Sequence, residues 1–335
     1  MSGQRPASGP ATVEEVLEGL RVVTLPLGIR FRGVTEREVA LVRGPVGWGE
    51  FAPFVEYGPQ ESARWLDAAL EAAWQGWPEP VRGEVPVNAT VPAVPAADVP
   101  AVLARYDGCT TAKVKVAERG QGERDDIDRV AAVRDVMGAH ARIRVDANGG
   151  WSLTQAADIL AALAPFDLEY AEQPCADVRD LARLRIDLAH QGVDVPVAAD
   201  ESIRKAEDPL EVARLRAADV IVVKVAPLGG VACALDVVAE CGLPAVVSSA
   251  IDSTVGLRAG VALAAALPDL DHACGLGTGA LLTADVTTEP LVPVSGALPV
   301  REVRVDEMLL DRHASPAPRQ EWWRERVRAA WAARR

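Results

Sequence analysis

The sequence has no unbroken apolar run approaching the ~18 residues that a membrane-spanning helix requires, which excludes a helical membrane protein. Met1 to Thr12 is small, polar and Pro-containing, without the apolar core of a secretory signal. The cysteines Cys109, Cys175, Cys233, Cys241 and Cys274 are odd in number and lack any paired metal-binding spacing, so they read as reduced thiols. The expectation is a cytoplasmic protein with a loose N-terminus. Positive charge is also short: 35 Lys and Arg stand against 48 Asp and Glu, a net charge of -13. A phosphate backbone would be repelled, which argues against a nucleic-acid partner, and an anionic substrate would need a locally positive pocket. The histidines, His140, His190, His272 and His313, fall at helix ends, at a strand start or in the tail, and none is positioned as a general base. Low complexity is confined to the Ala- and Pro-rich stretch from Val91 to Val102.

What is present is 335 residues with 49% hydrophobic and 25% charged content, ordinary for a globular enzyme larger than one minimal domain. Between Thr111 and Lys224 one event recurs: a short apolar run stops abruptly at charged residues. The runs carry Lys113 and Lys115, then Asp146 with Asn148, then Glu172, then Asp200 with Glu201, then Lys224. Lys115 to Asp146 is 31 positions, Asp146 to Glu172 is 26, Glu172 to Asp200 is 28 and Asp200 to Lys224 is 24. A strand, turn, helix and return loop take about 25 to 30 residues, so each step reads as one strand-helix unit. A closed parallel sheet gathers the ends of its strands at one face. Asp146, Glu172 and Asp200 therefore converge, with Lys115 and Lys224 flanking them. Three such carboxylates repel unless a cation sits among them, and all-oxygen ligation selects a hard divalent ion, Mg²⁺ first. Lys113 and Lys115 share one strand face, and neighbouring ammonium groups raise each other's cost of charge. One of them can then lose its proton near neutral pH and serve as a base. Lys224 interrupts the apolar run from Val220 to Val223, where an idle charge is costly.

Taken in order and spacing, Lys-x-Lys, Asp-x-Asn, Glu-Gln-Pro, Asp-Glu-Ser and Lys-Val-x-Pro-x-Gly-Gly resemble the enolase superfamily, in particular its muconate-lactonizing subgroup. The resemblance implies an α/β fold, a modified TIM barrel (β/α)7β with an α+β capping domain built from both ends of the chain. The expected division is 1–84 for the capping domain, 85–290 for the barrel and 291–335 for a segment returning to the capping domain. Asp146, Glu172 and Asp200 match the ligands of one Mg²⁺, for which Mn²⁺ can substitute. Lys113 and Lys115 match the motif whose second lysine is the base, and Lys224 matches the lysine on the opposite side. Glu201, beside Asp200, either orients Lys224 or supports the ligand from behind.

Outside these runs, Leu20–Leu25, Arg37–Arg43 and Gly47–Glu50 read as strands, and Ser62–Trp74 as an amphipathic helix capped by Ser62. Gly28 to Gly33 is a glycine-bracketed basic loop; the resemblance implies that a loop at this place closes on the substrate, so that Arg30 or Arg32 meets an anion, and a solvated hairpin is the alternative. Val85–Val91 opens the barrel. Helices follow over 96–106, 123–137, 153–164, 178–191, 209–216, 231–241 and 255–267, with 245–250 and 272–276 as the last two strands. Ser248 and Ser249 end a buried strand, where their hydroxyls and the backbone NH groups of the next turn offer an anion site; by resemblance a substrate carboxylate or carbonyl is held there, and Asn148 is assigned to substrate binding with them. Leu291–Val305 is a Pro-broken extended stretch. Gln320–Arg335, with Trp322, Trp323 and Trp331, reads as a terminal helix packed on its own domain or on a dimer mate, and monomer and homo-oligomer both stay open.

Three carboxylates around Mg²⁺ suit a small-molecule carboxylate whose adjacent carbon loses a proton, the added negative charge being neutralised by the ion. Lys115 would take that proton. Loss of a β-hydroxyl then gives a dehydratase, and return of a proton from Lys224 gives a racemase or epimerase. The short chain, the basic loop, Gly-Trp-Gly-Glu-x-x-Pro from Gly47 and the run from Ser248 to Gly256 resemble the aromatising dehydratases of menaquinone synthesis, whose substrate is a succinyl-hydroxycyclohexadiene carboxylate. The alternative is an N-acylamino acid racemase or a dipeptide epimerase. The latter carry Asp-x-Asp at the end of strand eight, where this chain has Gly275-Leu-Gly-Thr278. A non-catalytic binding barrel ranks lower, since it would have no reason to keep three acids and two lysines.

Overall fold

The computed structural model describes residues 11–31, 33–205 and 208–334. After a short helix α1 (Val13–Glu18), three antiparallel strands form the first sheet: β1 (Leu20–Phe31), β2 (Val34–Arg43) and β3 (Trp48–Phe51). Helix α2 (Pro59–Leu70) continues into a π-helical turn, Glu71–Gln75. Gly58, not Ser62, stands at the N-cap of α2; Ser62 is buried in its second turn, because Pro59 starts the helix earlier than the hydroxyl signal indicates. The expected basic loop is also shorter. Residues 28–31 continue β1, and Phe31 pairs directly with Val34 after a register shift from Pro26. Arg32 lies outside the described residues.

Strand β4 (Glu84–Pro86) does not enter the barrel but pairs antiparallel with β12 (Ala297–Pro299). Pro86 has no N–H to extend a ladder, and the barrel sheet begins only at β5 (Ala89–Val91). The sheet then runs, parallel and in order, through β6 (Thr111–Lys115), β7 (Arg142–Asp146), β8 (Leu168–Glu172), β9 (Val197–Ala199), β10 (Val220–Val223) and β11 (Ala245–Val247). The eighth strand expected at 272–276 is reduced to two residues. Cys274 bridges to Val87 and Gly275 to Ser248, with Cys274 donating to Pro86 and Gly275 to Val247, and these bonds close the ring.

The helices around it are α3 (Val99–Leu103), α4 (Glu123–Met137), α5 (Leu153–Leu163), α6 (Val178–Gln191), α7 (Glu201–Arg204), α8 (Glu211–Arg214), α9 (Val225–Leu228), α10 (Val231–Cys241) and α11 (Thr254–Ala266), followed by α12 (Glu307–Arg312) and α13 (Ala317–Ala333). The helices expected over 96–106 and 209–216 shrink to α3, preceded by a 3₁₀ turn, and to α8. Strand alternation sorts the barrel residues. Val145, Ala171, Val197, Ile221 and Val223 face out onto the helices, whereas Tyr170, Ala198, Val220, Val222 and Val246 form a separate inner cluster. Arg144 is fully buried, its guanidinium 4.7 Å from the Tyr170 ring centre. Two residues further along each strand, the same inward face carries the charged layer.

Helix α13 packs on α2 and β1. Trp323 is buried edge-on to Phe51 at 5.8 Å and donates to Glu38 at 3.1 Å, which Arg319 also grips through two nitrogens. Glu71 reaches from the capping domain to the N-terminus of α10, accepting from Val231 N at 2.6 Å and Ala232 N at 3.0 Å. A carboxylate at that position satisfies otherwise unpaired helix NH groups.

Candidate active site

The inward layer at the C-terminal strand ends brings together Lys113, Lys115, Asp146, Glu172, Asp200, Lys224 and Ser248. Ladder pairing sets three of them side by side, Lys115 opposite Asp146 and Asp146 opposite Glu172. Lys113 Nζ stands 2.9 Å from Glu172 and 3.0 Å from Asp146. Lys115 Nζ is 2.5 Å from Asp146 Oδ2 and donates to Asn148 Oδ1 at 2.7 Å. Lys224 pairs with Asp200, whose other oxygen accepts from Arg204 Nε at 3.0 Å. Three lysines here offset three carboxylates, so the layer does not share the excess negative charge of the chain. Lys115 and Lys224 flank the acids, and Lys113 is the ammonium wedged between two of them.

Among the described residues, no three acidic, cysteine or histidine side chains are gathered tightly enough to cage an ion as they stand. The lysines occupy the space between the carboxylates. The donor set nevertheless fits a hard divalent cation: it is oxygen only, on adjacent strands, and one member is short of positive charge. Burial, and then the charge of Asp146, push Glu172 up to about 7 despite Lys113. Burial also works against ionised Asp146, yet Lys113 and Lys115 hold it well below the usual carboxylate range. Asp200, buried as well, is brought to about 2 by Lys224 and Arg204. Burial opposes the charge on Lys113, but Asp146 and Glu172 hold it well above the ordinary lysine range. For Lys224 burial prevails and lowers it, against the pull of Asp200.

Backbone strain concentrates at these strand ends. Asn148, Gln173 and Ile251 have φ of 47°, 40° and 62°. The turn at Asn148 lets its N–H reach Asp146 Oδ1 at 3.0 Å. Gln173, unnoticed in the sequence except as part of Glu-Gln-Pro, accepts from Asp200 N at 2.9 Å and Ser202 N at 3.1 Å and so fixes the next strand end. Glu201 accepts from Asn148 and Arg204 at 3.3 and 2.5 Å, which makes it a support for the Asp200 side and not a direct partner of Lys224. Arg204, spaced one helical turn from Asp200, also donates to Tyr57 OH at 3.1 Å and ties the layer to the capping domain.

The other expected substrate contacts are only partly gathered. Ser248 lines a small cavity with Lys224 and Asp252. Ser249 turns away, donating to Gly275 O at 2.8 Å beside Thr278 Oγ1 at 2.7 Å. One NH of the following turn, that of Ala250, is already bound to Asp252 at 3.1 Å. Ser253, rather than either serine, caps α11. Arg30 is exposed at the hairpin turn beside Gly33. Its neighbour Phe31, which no sequence pattern singled out, is buried against the site with its ring centre 5.6 Å from Lys115 Nζ.

Residues 22–73 match the enolase N-terminal domain-like family and residues 98–304 the enolase C-terminal domain-like family. The chain is 56% identical to the o-succinylbenzoate synthase of Mycolicibacterium smegmatis over 97% of this chain and 99% of that one. It is 57% identical to that of Thermobifida fusca over 93% and 96%. Among solved structures, muconate lactonizing enzyme from Pseudomonas fluorescens superposes with a TM-score of 0.75 at 21% identity, covering 88% of this chain and 98% of that chain, a likeness of fold. The chain belongs to the o-succinylbenzoate synthase family of the enolase superfamily.

Proposed function

We propose that the chain is a hydro-lyase that converts 2-succinyl-6-hydroxy-2,4-cyclohexadiene-1-carboxylate into 2-succinylbenzoate and water, a step of menaquinone synthesis. The observation that carries the reading is Lys115, held between Asp146 and Asn148 at the rim of a layer of three buried carboxylates. Superfamily sites use a Lys or His base with Mg²⁺. Asp146, Glu172 and Asp200 would hold that ion. When bound, it supplies the positive charge that steadies a substrate carboxylate and the second negative charge arising as the neighbouring proton leaves.

The protein's own groups do the rest. Lys115 acts as the neutral amine, with the Lys113 ammonium beside it to position the substrate carboxylate. Neutral Lys115 then takes the proton from the ring carbon bearing the carboxylate. The C–H electron pair becomes a ring double bond as hydroxide leaves the neighbouring carbon, and Lys115 returns its proton to that hydroxide, releasing water. Aromatisation drives the step. Lys224, on the opposite side of the layer, faces the ring as a cation, and Phe31 keeps water from Lys115. Ser248 and Asn148 line the place where the substrate's polar groups lie.

A second reading follows from Lys224. Its ammonium is lowered and stands opposite Lys115, an arrangement that also serves proton exchange at the α-carbon of an N-acylamino acid or dipeptide. A Mg²⁺-dependent assay of the ultraviolet change on aromatisation, beside deuterium exchange of such substrates in D₂O, separates the two. Rapid dehydration with slow exchange supports the hydro-lyase; rapid exchange without dehydration replaces it with a racemase or epimerase.

A further inference from the structure

Glu50, at the end of the Gly-Trp-Gly-Glu run on β3, crosses from the capping domain into the barrel. Its Oε2 accepts from Ser253 N at 3.1 Å, Ser253 Oγ at 2.5 Å and Gly256 N at 3.2 Å. Its Oε1 is buried and has no hydrogen-bond partner. The residue borders a cavity of about 30 Å³ shared with Trp65, Lys224, Ser248 and Asp252. Trp65 Nε1 is likewise buried without a partner. A space of this size holds a water molecule or two.

Asp252 stands beside Glu50, and Gly256 is what lets them approach. A Cβ on Gly256 would meet Asp252 Cβ at 2.7 Å and Glu50 Oε1 at 2.9 Å, so the Asp252 side chain and the Glu50 carboxylate approach this point from two sides. The charged groups facing them are Arg37, Asp285 and Lys224. Arg37 donates to Ile251 O at 3.2 Å and to Ala52 O. Asp285 is bound to Thr254 N and Oγ1 at 3.1 and 2.8 Å, and Lys224 to Asp200. Glu50 Oε1 accepts from none of them, and a buried carboxylate is costly to ionise beside a second, half-buried one.

We propose that Glu50 and Asp252 hold one proton between them, and that this protonated pair keeps the turn from Ser248 to Ser253 closed against the capping domain, which makes Glu50 a positioning residue for the reaction. Burial, and then the charge of Asp252, push Glu50 up to about 8. Burial raises Asp252 as well. Above about pH 8 the pair becomes doubly negative, the turn is pushed off the capping domain, and the cavity wall bearing Ser248 moves away from Lys224.

The kinetic consequence rests on the proposed dehydration; the thermodynamic one needs no substrate. Because the Glu50 carboxyl titrates near 8 in the folded chain against 4.5 ordinarily, the folded state keeps a proton that the unfolded state releases. Its contribution therefore makes stability fall as pH rises across that window. The experiment compares wild type, Glu50→Gln and Glu50→Ala, loaded with Mg²⁺, in steady-state kinetics and thermal melting between about pH 5 and pH 10. Wild-type KM should climb above about pH 8 while kcat holds. Glu50→Gln, which imitates the protonated acid, should lose that climb and show a shallower decline of Tm with pH. Glu50→Ala, which removes the carboxyl that accepts from Ser253 and Gly256, should raise KM roughly tenfold below about pH 8. A Glu50→Gln melting profile with the wild-type slope overturns the shared proton whether or not the chain dehydrates anything. A wild-type climb in KM that persists in Glu50→Gln overturns the positioning role.

Discussion

Phe31, at the end of the first strand of the capping domain, lies across the Lys115 ammonium, its ring centre 5.6 Å from Nζ. One residue thus joins the hairpin to the proposed base. Phe31→Leu, which keeps most of the buried packing but removes the aromatic face, should lower kcat/KM about tenfold with little change in melting temperature, since a cation–π contact of this kind is worth about 0.5–2 kcal/mol. Steady-state kinetics of the variant checks this, and a melting temperature lowered in step would show that the ring serves only to pack the hairpin.

Lys115→Ala should cut turnover by about a thousandfold or more, the scale of a lost general base, while calorimetric binding of Mg²⁺ persists because Asp146, Glu172 and Asp200 are untouched. Full activity in this variant would move the base elsewhere in the layer.

Lys224→Ala divides the two readings. A hydro-lyase needs only a cation at this place and should keep measurable dehydration, at a cost of about tenfold to a hundredfold. Proton exchange from both faces needs Lys224 itself and should vanish. Measuring both reactions on one preparation gives the answer.

Glu172, pushed up to about 7 by burial and by Asp146, must be ionised to act as a ligand. Below that pH a proton competes with the ion. Affinity for Mg²⁺ should therefore rise about tenfold per pH unit up to about 7 and level off above it. Titration calorimetry in buffers of different ionisation enthalpy should detect the released proton, and an affinity indifferent to pH would remove Glu172 from the ligand set.

Glu71→Ala removes the carboxylate that binds Val231 N and Ala232 N at the start of α10. Stability should drop by about 1–3 kcal/mol, and hydrogen exchange at those two amides should quicken more than in the strands of the barrel. Uniform quickening throughout would indicate general destabilisation instead.

Much of the barrel is legible in the sequence for a physical reason. Helices α4, α6 and α10 fall within the bounds that their flanking glycines mark, Gly122 and Gly138, Gly192, and Gly230 and Gly242. The charged layer is legible because period-two alternation carries it one step beyond the apolar inner face. Lysine scarcity was a further signal: the chain has four, Lys113, Lys115, Lys205 and Lys224, and three stand in this layer. What stays hidden is whatever depends on pairing over long separations. The eighth strand cannot be sized from 272–276, because its bonds lie with Val87 and Ser248. Glu50 meets Ser253 across 203 positions, and Phe31 meets Lys115 only once the capping domain has docked. The hydroxyl signal at Ser62 failed because Pro59 starts its helix first.

The link between β2 and α13 bears on the order in which the molecule assembles. Glu38 and its partners Arg319 and Trp323 are 281 and 285 positions apart. The strand–helix units of the barrel need only their sequence neighbours to begin forming, whereas the capping domain closes the longest loop in the chain. It should settle last, on a barrel already in place. Phe31 and Tyr57 would then reach the charged layer only when the final helix has arrived, so chemistry begins as the last act of folding.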